Sequence, residues 1–345
     1  MNMIISTLKI SNLGSVVYLT AAVLSAVYLI YFIILLFKTH SAKNTRYLQP
    51  TFTSRAGNDN MKYTEISRRF MTREIRTSVR RAAANSEIIK VGLSSIVGTR
   101  KYQQDSAITI DEDTMRKTGY KKCIAVLCDG MGGMEGGELA SAISAKTIFD
   151  DYMKNFPADI PGFFRKEVKK VDNLVCGLTN EKNEVLNSGS TLVSVVIENG
   201  GMYWVSVGDS RIYLIRGTQM AQLTTDHNYY YILRQQAESG LISFEEASSN
   251  PKGEALISYI GLGHEGEIGG NQKPISLESG DLILLCSDGL YKALSDQEIF
   301  DIASTCQNNV VQTAQALTTA TMAKQRKAQD NTTVVLLKYN GAYNM

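Results

Sequence analysis

KCIAVLCDGMGG, residues 122–133, joins an unbroken apolar run to an acidic, glycine-rich exit. The run Lys122–Cys128 is short and carries β-branched residues, which favours a buried strand over a helix. An aspartate at a strand end beside glycine has a physical use. The strand fixes the carboxylate, and glycine lets backbone or ligand approach closely. The same association recurs in GTRKYQQD at 98–105, in SDGL at 287–290 directly after DLILLC, and in DNTT at 330–333 directly before the last apolar run. One Asp-Gly is ordinarily just a turn. Four acidic turns in this common context point to convergence at one edge of a sheet sandwich. Such a negative, oxygen-rich pocket suits hard divalent cations, Mg²⁺ or Mn²⁺. GDSR at 208–211, between two further runs, equally fits a plain hairpin turn.

Working outward, strands are expected at Thr191–Glu198, Met202–Val207, Arg211–Ile215, Asp281–Cys286 and Thr332–Tyr339. ENGG at 198–201 reads as a hairpin turn between two of them. Helical periodicity fills about 137–182, with Leu139, Ala142, Ile143, Phe149 and Met153 on one stripe and Val168, Val171, Val175 and Leu178 on another. A second helical block covers about 296–325. Runs of strands separated from runs of helices imply an α+β fold: two packed antiparallel sheets flanked by helices, an α-β-β-α sandwich. That domain spans 88–340, long enough for one large core.

The 345 residues are 44% hydrophobic and 20% charged, which excludes a disordered chain. The odd count of five cysteines, without CxxC spacing, predicts free thiols in a reducing compartment. Ahead of the domain, residues 1–14 form a short tail, and SVVYLTAAVLSAVYLIYFIILLF at 15–37 contains no charge. That run is long enough for a single transmembrane helix and too long for the apolar core of a signal peptide. Lys9 precedes it, whereas Lys38, Lys43, Arg46, Arg55 and Lys62 follow, so the positive-inside rule places the domain in the cytoplasm. Residues 38–87 form a basic juxtamembrane linker. Within it, Met61–Ala84 carries six arginines on a helix-compatible pattern, which fits either attraction to anionic lipid headgroups or a solvated helix.

The sequence shows no Ser/His/Asp triad, P-loop or Rossmann fingerprint, and no nucleic-acid partner is expected. Cys128 lacks the phosphate loop of a cysteine-dependent phosphatase. Taken in order, GLSSIVGTRKYQQDSA, LCDGMGGMEGGELAS, NSGSTL, WVSVGDSRIYLI, LTTDHNYYYIL, LISYIGLG, LLCSDGLYKAL and QDNTTVV closely resemble the metal-dependent, type 2C serine/threonine protein phosphatases in their bacterial form. The resemblance covers residues 88–340 and leaves out the anchor and linker.

It implies two divalent cations at one end of the sandwich. Asp129 would bridge them with help from the Gly130 carbonyl, and Asp288 and Asp330 would complete one shell. Asp105 would hold nearby water, Arg100 would clamp the substrate phosphate, and Asp209 would serve a weaker third metal. Residues 235–256 would form a flap beside the site. The implied reaction is hydrolysis of phosphoserine or phosphothreonine in proteins by a water bridging the cations, opposing a Ser/Thr kinase. A membrane-tethered pseudophosphatase or phosphoprotein scaffold is the alternative. Three positions depart from the family pattern. Met131 stands where some members carry a histidine acid, Gln104 where an acidic residue is common, and Lys292 where some carry a third-metal aspartate. A cation at position 292 should weaken that third site.

Overall fold

The chain divides into two units, Met1–Thr51 and Phe52–Met345. The computed structural model describes residues 89–110, 115, 122–132, 136–180, 182–264, 266–305 and 309–341, all in the second unit. The predicted span at 15–37 and the basic linker at 38–87 lie outside the described residues. Among the described residues, no helix is long and apolar enough to cross a membrane.

Twelve strands are described: β1 (Ile89–Ile96), β2 (Asp105–Thr109), β3 (Lys122–Gly132), β4 (Ser188–Ser190), β5 (Leu192–Glu198), β6 (Gly201–Val207), β7 (Arg211–Arg216), β8 (Gln219–Gln222), β9 (Gly269–Gly270), β10 (Ile275–Ser276), β11 (Leu282–Cys286) and β12 (Thr332–Tyr339). Seven helices accompany them: α1 (Gly136–Asn155), α2 (Ile160–Cys176), α3 (Tyr229–Glu238), α4 (Phe244–Ser249), α5 (Asp288–Tyr291), α6 (Asp296–Ser304) and α7 (Val310–Ala323). One sheet runs β1-β12-β11-β7-β8. The other runs β10-β6-β5-β3-β2, with β4 paired to β3 and β9 to β6. All these pairings are antiparallel.

Period-two alternation sorts each strand's side chains between two apolar layers. Cys123, Ala125 and Leu127 of β3 meet Ile283, Leu285, Val335 and Leu337 of the opposite sheet. Ile124, Val126 and Cys128 pack instead with Tyr152, Phe164, Val168 and Val171 of α1 and α2. On the far side, Leu284, Val334 and Leu336 pack with Ile299 of α6 and Ala314 and Leu317 of α7. Covering both faces explains why these antiparallel strands read as continuous apolar runs; a sheet wetted on one face would alternate. The expected α-β-β-α layering is the observed one.

Local chemistry accounts for the turns. Asn199 and Gly200 both have positive φ, 50° and 77°, and connect Glu198 to its register partner Gly201. This is the primed two-residue turn that matches strand twist. One expectation needs correction. The DGMG stretch is the end of β3 rather than a turn, because Asp129 pairs with Asp105 of β2 and Gly130 with Ser190 of β4. Residues 235–256, the expected flap, hold the end of α3 and all of α4; the small apolar cluster of Leu233, Ala237 and Ala247 is separate from the three main layers.

Candidate active site

Strand direction gathers the acidic residues. β1, β3, β6 and β11 all end at one edge of the sandwich, while β2, β7 and β12 begin there. Asp105 opens β2, Asp129 lies near the end of β3, Asp209 follows β6, Asp288 follows β11 and Asp330 precedes β12. Asp129, Asp209, Asp288 and Asp330 line one cavity of about 280 Å³ with Arg100, Gln104, Gly130, Glu254, Lys292 and Asn331. The sandwich thus brings together Arg100 and Asp330, 230 positions apart in the chain.

Asp105 lies beside this group and is buried. Its Oδ2 accepts a 2.8 Å hydrogen bond from Ser287 Oγ, which in turn accepts from the Thr333 backbone N–H at 2.9 Å. One serine therefore ties the β2 carboxylate to both central strands of the other sheet. Asn331 fixes the loop that carries Arg100. Its Oδ1 accepts from Gln104 N–H, and its Nδ2 donates to the carbonyls of Val97 and Tyr102. Gly98 makes that loop possible, because its φ of 67° sits where a Cβ would come within 2.5 Å of the Asp330 carbonyl. Gly130 is equally constrained: a Cβ there would overlap the carbonyl of Gly137 in α1.

Arg100 Nη2 lies 2.6 Å from Asp330 Oδ2, with 59% and 37% of the two side chains exposed. An exposed pair of this kind contributes about 0–1 kcal/mol, so Arg100 exchanges partners readily. Lys292 Nζ lies 2.7 Å from Asp288 Oδ2 and 3.2 Å from Glu254 Oε2. Burial works against its charge, but Asp288, then Asp209 and Glu254, outweigh that and raise its pKa.

The carboxylates carry a large electrostatic load. Burial, then the neighbouring Asp288 and Asp330, pushes Asp105 up to about 7, although its hydrogen bonds oppose the rise. Burial and then Asp288 push Asp209 to about 7 as well. Asp129 is raised well above its ordinary value by burial, and then by Asp105, Asp288, Asp209 and Asp330. Asp105 Oδ1 and Asp288 Oδ1 are buried without a hydrogen-bond partner. Orphaned buried oxygens in a repelling cluster fit divalent cations, which remove the repulsion and occupy the free lone pairs. Among the described residues, no three Asp, Glu, His or Cys side chains close around a single ion position. Asp330 is turned toward Arg100 and Asp288 toward Lys292.

Other singled-out residues are structural. His227 is buried, and its Nδ1 accepts from the Gly208 backbone N–H at 3.2 Å. Cys123, Cys128, Cys176 and Cys286 are free thiols. Ser287, Asn331 and Glu254 were not singled out from sequence. Ser287 sits inside the quoted SDGL turn, but its partner is 182 residues away. Nothing local marks Glu254.

Comparison with known proteins assigns first the fold and then the family. The fold matches the serine/threonine phosphatase of S. agalactiae (TM-score 0.62, 23% identity), covering 72% of this chain and 99% of that one. It also matches the Mycobacterium tuberculosis serine/threonine phosphatase PstP/Ppp (TM-score 0.61, 25% identity), covering 73% and 99%. In sequence, a Listeria welshimeri serine/threonine phosphatase stp is 28% identical over 221 residues, 63% of this chain and 84% of the relative. The protein phosphatase PhpP of Streptococcus pneumoniae is 30% identical over 223 residues, 64% and 87%. Residues 98–328 match the family model described as protein phosphatase 2C. The chain belongs to that family, and it is a serine/threonine protein phosphatase of the 2C type.

Proposed function

We propose that the protein is a membrane-anchored, metal-dependent phosphatase acting on phosphoserine and phosphothreonine in proteins, opposite a Ser/Thr kinase. The observation that carries this reading is the single cavity shared by Asp129, Asp288, Asp330 and Arg100. Asp129 with the Gly130 carbonyl, and Asp288 with Asp330, would hold two divalent cations, Mg²⁺ or Mn²⁺, whose chemistry is Lewis-acid charge and activation of water. A solved PstP catalytic domain contains two manganese ions, which supports that choice of metal.

The chain's own groups do the rest. Arg100 leaves its exposed pair with Asp330 and offers a bidentate fork to two phosphate oxygens. Asp105, held by Ser287, orients water from beside the cavity. Met131 cannot donate a proton, so the leaving alkoxide takes one from solvent. Asp209 would serve a third ion only weakly, because the Lys292 ammonium already answers the charge on its side of the cavity.

The test uses the full-length chain in mild detergent with a phosphothreonine peptide. Hydrolysis requires Mn²⁺ or Mg²⁺ and stops with EDTA. Asp129→Asn lowers turnover by about 100-fold or more while the circular dichroism spectrum is unchanged. A near-normal rate for that variant at saturating Mn²⁺ would refute the reading, and a wild-type chain that binds phosphopeptide without turnover would be a scaffold.

The uncharged run at 15–37 and its flanking charges support a single-pass anchor with the catalytic domain in the cytoplasm. The basic linker then lies where anionic headgroups attract it. Protease added to intact cells should spare the domain, and added to opened cells should digest it. Digestion from outside would reverse the orientation.

A further inference from the structure

Two carboxylates on separate parts of the fold, Asp288 after β11 and Glu254 after α4, face the same cavity and would repel each other across it. Lys292 lies between them and bonds both. We infer that Lys292 is a positioning residue whose ammonium fastens the segment 229–256 over the carboxylate cavity.

Both ends of the connection are stiff. On the cavity side, Lys292 caps α5. Its N–H donates to the Asp288 carbonyl at 3.0 Å, and its own carbonyl accepts from Arg326. On the other side, Glu254 is flanked by Gly253 and Ala255, whose carbonyls accept from the N–H groups of Tyr230 and Tyr229 at 2.8 and 2.9 Å. A pull on Glu254 is therefore a pull on the first turn of α3. The segment has its own small cluster, and its other ion pair, Arg234 with Glu238, is internal. The fastening also divides the duties of Asp288. Lys292 takes Oδ2 and leaves the buried, unpartnered Oδ1 for a cation.

The fastening itself rests on geometry; its effect on turnover rests on the phosphatase reading. The experiment is amide hydrogen exchange on the full-length chain, beside steady-state kinetics on a phosphothreonine peptide. Lys292→Met should speed exchange in 229–256 by about two- to fivefold while exchange in β3 and β5 stays as in the wild type. KM should rise by a larger factor than kcat falls, and Lys292→Arg, which keeps the cation, should restore both. Glu254→Gln should reproduce the exchange change, and the double variant should be no worse than either single one. Glu254 is exposed, so its variant keeps the test available if Lys292→Met does not fold. Unchanged exchange in 229–256 in the folded single variants, or additive effects in the double variant, would overturn the proposal. A wild-type chain without turnover would remove the phosphatase reading, while the exchange pattern would still decide the fastening.

Discussion

Arg100 holds one carboxylate of the cavity and Lys292 holds two, and their circumstances differ. The Arg100 side chain is 59% exposed and meets one acid, whereas that of Lys292 is 32% exposed and lies between two. The difference supports the proposed roles of Arg100 toward substrate and of Lys292 in holding the scaffold. Arg100→Lys keeps the charge but loses the planar fork. Its kcat/KM should fall by about tenfold, mostly through KM, in phosphopeptide assays at saturating Mn²⁺. Asp129, Asp288 and Asp330 were legible in the sequence because each adjoins an apolar run that fixes its place. Glu254 was not, because its partner is 38 residues away and only the folded chain brings them together.

At the scale of elements, apolar runs were legible wherever a strand is buried on both faces. β12 has the expected bounds, Thr332–Tyr339, and β5, β6, β7 and β11 differ from expectation by one residue at an end. β1 and β2 were not recognised as strands. They lie at sheet edges with most positions only half-buried, so serines and threonines interrupt the pattern. The helical blocks resolved into pairs broken at Pro157–Asp159 and near Thr305. Two substitutions test these layers. Leu284 is fully buried between β11 and the outer helices, and Leu284→Ala should cost about 2–5 kcal/mol in urea unfolding. Ser295 caps α6 in a reciprocal box with Glu298. Ser295→Ala should cost about 0.5–2 kcal/mol and leave turnover unchanged.

Across the whole molecule, the cavity exists because both sheets present their ends to it. Asp105 and Asp129 come from one sheet, and Asp288 and Asp330 flank central strands of the other. The resulting repulsion gives a signed pH dependence. Asp105 is raised to about 7 and Asp129 is raised well above its ordinary value, so both carboxyls favour the folded state below the unfolded carboxylate pKa of about 4. The Asp105 contribution is lost as pH rises through about 7, and that of Asp129 is lost likewise as pH rises through its own raised pKa. Divalent cations relieve the same charge, so they should stabilise the domain most where it is lost. The rise in Tm on adding Mn²⁺ should be larger at about pH 7.5 than at about pH 5.5 by differential scanning fluorimetry. Equal rises would remove the carboxylate cluster as the cation's binding place.

Ile89 and Tyr339 are opposite one another in the β1–β12 ladder, at the far end of those strands from Asp330. Directly paired antiparallel residues lie about 5 Å apart, and eight residues of strand span about 25 Å. The domain's first and last strands therefore begin and finish side by side, remote from the chemistry. A circular permutant that joins residue 341 to residue 89 through a short glycine-rich bridge, with new termini opened between α6 and α7, should keep its cavity intact.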